Sequence, residues 1–172
     1  RAIVDQEFEG VHQAVLQRLK VEAVLVRLPK ELDGLDGLVI PGGESTAIGK
    51  LAQEYHLWEA IRQRAEAGWP IFGTCAGLIL MAQQATDLDV GTLGLVDMAV
   101  RRNAFGRQVD SFEIDLPIPA LGEPLFHAVF IRAPLVERVG SGVQVLARLP
   151  DGTAVAAQQG KRLVAAFHPE LT

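Results

Sequence analysis

The sequence predicts an α/β fold: an open, mostly parallel sheet between two helical layers, a three-layer α/β/α arrangement. Three observations lead there. Apolar runs alternate with helix-period segments through the first half of the chain. The runs end in glycine-rich turns that open helices. The βα repeats are too few to close a barrel.

Val11, Val15, Leu16 and Leu19 are spaced as one helix face. Val21 to Val26 reads as a strand. Leu35 to Pro41 is a second apolar run, ending at Gly42-Gly43. Ser45 is the expected cap of the next helix, with Ile48, Leu51, Ala52 and Tyr55 on its inward face. A further helix is expected over Leu57 to Ala67, stopped by Gly68. Pro70-Ile71-Phe72 is a short buried strand, and Leu78 to Met81 a buried helix. Beyond about residue 90 the pattern turns to short strands: Leu95 to Val100, Phe112 to Leu116, Val129 to Arg132, Val143 to Arg148, Val155 to Gln159 and Leu163 to Phe167. Turn signals such as Pro150-Asp151-Gly152 separate them.

Composition narrows the function. A chain of 172 residues suits a single domain, taken as 1–172, and 49% apolar with 22% charged residues is ordinary for a globular protein. The net charge is −5 and Arg101-Arg102 is the strongest basic cluster, so nucleic acid is not an expected partner. No apolar stretch approaches the ~20 residues of a membrane-spanning helix. No secretory signal is visible, and one cysteine is compatible with a reducing, cytoplasmic setting. A single cysteine and four scattered histidines do not form a zinc-ligand pattern.

The chemistry concentrates in three segments. Gly73-Thr74-Cys75-Ala76-Gly77 follows a strand and precedes a helix, which is the layout of a nucleophile elbow. Its glycines remove Cβ atoms that would crowd the turn, and the helix N-terminus suits an anion. A lone cysteine is more often a small buried apolar residue, but the glycine frame reverses those odds. Phe167-His168-Pro169-Glu170 offers a base and a carboxylate two residues apart, on one side of an extended segment. The remaining histidines, His12, His56 and His127, are expected at the surface or an interface. Pro41-Gly42-Gly43-Glu44-Ser45 closes a strand where open α/β sheets bind ligands, and its spacing excludes a phosphate loop. These residues alone leave open a glutaminase, a cysteine peptidase of similar architecture, or a non-catalytic subunit that keeps the fold.

Taken together the segments resemble class I, triad-type glutamine amidotransferases, of flavodoxin-like fold, and most closely the glutaminase subunits of pyridoxal 5′-phosphate synthase. The resemblance is carried by Pro41-Gly42-Gly43-Glu44-Ser45-Thr46, by Phe72 to Leu78, by Arg102-Asn103-Ala104-Phe105-Gly106-Arg107-Gln108, by Val129-Phe130-Ile131-Arg132-Ala133-Pro134 and by Phe167 to Thr172. It implies Cys75 as nucleophile, with His168 and Glu170 completing the triad. It implies that Gly43, Glu44, Ser45, Arg102, Ile131 and Arg132 bind L-glutamine. It implies glutamate and ammonia as products, no cofactor in this chain, and a synthase subunit as partner in a hetero-oligomer. That partner would hold the pyridoxal phosphate site, and its docking would rearrange the Gly42-Gly43 peptide. Near the start, Gln6-Glu7 stands where such proteins have Gln-Gly.

Overall fold

The computed structural model describes residues 9–102 and 111–172. Gln6 and residues 103–108 of the resemblance therefore lie outside the described residues. The first element is helix α1 (Glu9–Arg18). A 3-10 turn (Pro29–Leu32) leads to strand β1 (Leu38–Ile40). Helices α2 (Ser45–Glu54) and α3 (Leu57–Glu66) precede β2 (Ile71–Thr74), and α4 (Ala76–Met81) follows it. The remaining strands are β3 (Ala82–Thr86), β4 (Val96–Arg101), β5 (Ser111–Leu116), β6 (Phe126–Ile131), β7 (Leu135–Val139), β8 (Gln144–Arg148), β9 (Ala154–Gln159) and β10 (Arg162–Ala165). A 3-10 turn (Pro169–Leu171) ends the described chain.

The principal sheet has the order β1-β2-β10-β9-β8. Its site-bearing part, β1, β2 and β10, is parallel, with Ile40, Gly73 and Val164 in register. β9 and β8 extend it as antiparallel hairpins. Two smaller sheets, β3-β4-β7 and β5-β6, flank it. Helix α4 packs on β2 at the Gly73 face. On the other face, Leu16 of α1 borders an apolar groove with Val39, Phe72 and Leu163. The α/β expectation with helices on both faces is met.

Several local expectations are corrected. Val21 to Val26 is extended, but only Leu25 forms a bridge among the described residues; Val26 is buried. Ser45 does not cap α2. Glu44 does, its carboxylate accepting from the N–H groups of Thr46 and Ala47 at 3.1 and 2.7 Å. A carboxylate at this position also complements the partial positive charge of the helix start. The buried face of α2 is Ser45, Ile48, Gly49 and Ala52, whereas Leu51 and Tyr55 are exposed. The helix is rotated inward because Gly49 lies against Val90, with no room for a Cβ. Strands β3 and β7 went unread because their polar residues conceal the alternation.

The core holds together where backbones touch. A Cβ on Gly77 would lie 1.9 Å from the Ile40 carbonyl oxygen. One on Gly73 would meet Met81 Sδ at 2.6 Å and Gly77 C at 2.7 Å. The glycines around Cys75 thus let α4 sit directly on β1 and β2. An aromatic cluster fastens the β5-β6 hairpin nearby. Phe112 and Phe130, paired across the two strands, stack at 4.5 Å, and Phe130 meets Phe167 edge-on at 5.6 Å. Among the described residues no helix is long and apolar enough to cross a membrane.

Replacing Gly77 with alanine is expected to destabilise the fold by ~3 kcal/mol or more, because backbone must move. Gly10→Ala, at an open helical position, is expected to stabilise it by about 0.5–1 kcal/mol. Urea unfolding of both variants checks the contrast.

Candidate active site

The C-terminal ends of five strands converge on one pocket. β1 delivers Gly43, Glu44 and Ser45; β2 delivers Cys75; β4 delivers Arg102; β6 delivers Ile131 and Arg132; β10 delivers His168. All eight, with Ala76 and Ile79, line a pocket of about 120 Å³, the scale of one small organic molecule. Every sequence-expected site residue lies here except Glu170, which stands behind His168. Among the described residues no group of three possible metal ligands occurs.

Cys75 sits between β2 and α4 at φ 49°, ψ −102°. This is a strained backbone for a non-glycine residue, costing on the order of 1–3 kcal/mol. The turn is held by the Cys75 N–H donating to Ala165 O at 2.8 Å, and by Ile79 N–H donating to Cys75 O at 3.3 Å. The thiol is mostly buried and lies 3.8 Å from Ile131 O.

His168 follows the buried Phe167 and is itself buried. Its N–H donates to Val129 O at 2.8 Å, which ties it to β6. The ring Nδ1 meets Glu170 Oε1 at 2.7 Å, and Cys75 also acts on the ring. With Nδ1 engaged by the carboxylate, Nε2 is left for the thiol. Burial pushes the imidazole toward its neutral form, but Cys75 and Glu170 together outweigh it and raise the pKa to about 9. Burial likewise works against the Glu170 anion, yet contacts to His12 and His168 bring its pKa down to about 2. His168 and Glu170 therefore form a dry ion pair, with the Cys75 thiol beside it.

His12 was expected at the surface or an interface. Instead it is buried on α1, with Nε2 3.4 Å from Glu170 Oε1. Only its spacing from Val15 and Leu16, three and four positions on and half-buried, hinted at this. His127 is exposed as expected, between Asp115 at 2.8 Å and Glu113 at 2.9 Å.

At the other end of the pocket, Arg102 donates to Thr46 Oγ1 at 2.7 Å and pairs with Glu44. Burial slightly opposes ionisation of Glu44, but the Thr46 and Ala47 N–H groups and Arg102 hold its pKa below the usual carboxylate range. One carboxylate thus caps α2 and aims a guanidinium. Gly43 has φ 136°, open only to glycine, and Gly42 lies flat against His168.

Two outcomes follow. A Cβ on Gly42 would stand 2.4 Å from His168 Cε1, so Gly42→Ala is expected to displace the imidazole and lower turnover on the order of 10²-fold, with little change in Tm. Because Glu170 titrates at about 2 against an ordinary 4.5, its contribution to stability is present above 4.5 and lost as pH falls toward 2. The Tm gap between wild type and Glu170→Gln should therefore be full at neutral pH and shrink through that acid window. A gap that stays constant there overturns the assignment of an ionised Glu170.

Comparison with known proteins agrees with this geometry. The model of the SNO glutamine amidotransferase family matches residues 5–172. A Herpetosiphon aurantiacus protein named pyridoxal 5′-phosphate synthase subunit PdxT is 57% identical over 164 residues, covering 94% of this chain and 86% of its own. A PdxT of Pelotomaculum thermopropionicum is 55% identical over 161 residues, covering 94% and 82%. A solved structure titled as a glutamine amidotransferase superposes with a TM-score of 0.91 at 48% identity, over 99% of this chain and 91% of that one. The PurLQS structure of Thermotoga maritima, at 18% identity and a TM-score of 0.71, shares the fold. A strand-end pocket holding cysteine and histidine, with a glutamate buried behind the histidine, in a chain matched over nearly its whole length, makes this protein a member of the SNO glutamine amidotransferase family.

Proposed function

We propose that this chain, as one glutaminase domain over 1–172, is the glutaminase subunit of a cytoplasmic pyridoxal 5′-phosphate synthase. It hydrolyses L-glutamine to L-glutamate and ammonia and passes the ammonia to a separate synthase subunit. The relatives named PdxT support the assembly. The observation that carries the chemistry is Cys75 beside the hydrogen-bonded His168 and Glu170 at one end of a small pocket whose other end presents Arg102 and Arg132.

In this reading the two guanidinium groups receive the α-carboxylate of glutamine, a geometry arginine meets with paired hydrogen bonds. The ionised Glu44 faces the α-ammonium, and Gly43, Ser45 and Ile131 fit the rest of the substrate. The proton shared by Cys75 and His168 rests on the imidazole, whose pKa is raised, and the thiolate sulfur attacks the side-chain amide carbon. The carbonyl oxygen becomes an oxyanion beside the Ala76 N–H, the donor that follows the nucleophile. As the C–N bond breaks, His168 returns the proton to nitrogen and ammonia leaves a glutamyl thioester. His168 then takes a proton from water, the hydroxide attacks the thioester, and the C–S bond breaks to give glutamate and the restored thiolate beside the imidazolium. Glu170 keeps the imidazole in the tautomer and orientation that each transfer requires.

The test is glutamate and ammonia release from L-glutamine, with and without the synthase partner. Turnover is expected with the partner, together with a trapped thioester. Cys75→Ser and Cys75→Ala are expected to fold normally and release no glutamate. Activity in either variant sinks the nucleophile assignment, and a wild-type complex that never releases glutamate sinks the function.

A further inference from the structure

We propose that His12 is a positioning residue that fixes the rotation of the Glu170 carboxylate, an inference that rests on the glutaminase reading above. Helix α1 packs against the Pro169–Leu171 turn, and His12 faces Glu170 across that junction. The two side chains are 7% and 1% exposed. His12 Nε2 approaches Oε1, the same oxygen that His168 Nδ1 meets at 2.7 Å. Glu170 Oε2 is buried with no hydrogen-bond partner among the described residues.

The terminal torsion of a glutamate is broad and nearly two-fold, so its own rotamer preference does not decide which oxygen faces His168. Two imidazoles converging on one oxygen do decide it. Rotation that presents Oε2 to His168 loses the His12 contact. The separation of 3.4 Å is long for a hydrogen bond, so the hold is chiefly a dipole or charge attraction, strengthened by the dry surroundings. Packing alone does not explain a histidine here. A leucine would fill the space without burying polar nitrogens. His12 does not line the substrate pocket, so it acts through Glu170 and His168 and not on glutamine.

The test compares His12→Leu, which keeps bulk and removes the donor, with His12→Gln, whose amide nitrogen reaches about as far as Nε2. Leu16→Ala is the control for loosening α1 away from Glu170. Each is assayed with the synthase partner for kcat and KM, and for the rate at which iodoacetamide alkylates Cys75. His12→Leu is expected to lower kcat roughly tenfold and slow alkylation in parallel, with KM for glutamine within about twofold. His12→Gln is expected to recover most of both, and Leu16→Ala to lower Tm while sparing them. Should His12→Leu fail to fold, His12→Asn, too short to reach Oε1, takes its place with the same expectation. Wild-type kcat and alkylation in the donor-less variant overturn the proposal, as does equal loss in the glutamine variant or in Leu16→Ala. Absence of glutamate release from the wild-type complex would instead count against the glutaminase reading, and the alkylation series would still report on His12.

Discussion

The arrangement depends on a carboxylate kept ionised where water does not reach it. Glu170 is 4% exposed, and an isolated anion there would neutralise itself by taking up a proton. It stays charged because two imidazoles face it. His168 in turn stays protonated above its ordinary range because Cys75 and that anion lie beside it and together outweigh its burial. Each charge supplies the environment that the other needs. Breaking one side leaves an unpaired buried charge, which is far worse than never having buried the pair.

That pairing has a backbone counterpart. The thiol reaches His168 only because Cys75 occupies a backbone conformation that few residues adopt. The strain is tolerated because its neighbours leave the turn little alternative. Ala165 receives the Cys75 N–H, Gly73 lets Met81 close over the strand, and Gly77 lets α4 rest on the Ile40 carbonyl. On the far side Gly42 lies flat against the imidazole. Three glycines thus set the distances between three strands, and the nucleophile sits where those strands end. Gly42 and Gly43 lack side chains to fix their backbone, and they join the His168 contact to the pocket wall. A partner that moves them would act on His168 and on the substrate together.

Much of this was legible in the sequence where a residue type has few alternatives. Glycines flanking a cysteine between strand and helix, and a histidine two residues from a glutamate at a strand end, restrict the geometry sharply. The parallel strands around them followed from apolar runs. What escaped was decided by tertiary neighbours. Ser45 is a better intrinsic cap than glutamate, yet Glu44 caps α2, because Arg102 also holds that carboxylate. Leu51 and Tyr55 have helical spacing, but Gly49 and Val90 turn the helix so that they face outward. The 21–26 segment has strand composition, and composition does not supply a pairing edge.

His12 is the instructive miss. A histidine near the start of a helix carries no local sign of what it faces, since its partner lies 158 positions further along the chain. Its placement follows only once β10 has run parallel to β2 and the Pro169–Leu171 turn has folded back under α1. The contact then links the first described helix to the last described turn through a single carboxylate oxygen. Among the described residues no other group in the site has that reach. The substrate-facing groups are short-range products of strand ends, whereas the orientation of Glu170 is set by an element that touches neither substrate nor nucleophile. Precision at Cys75 is therefore a property of the closed chain, and a shift of α1 would be felt at the thiol by way of two imidazoles and the carboxylate between them.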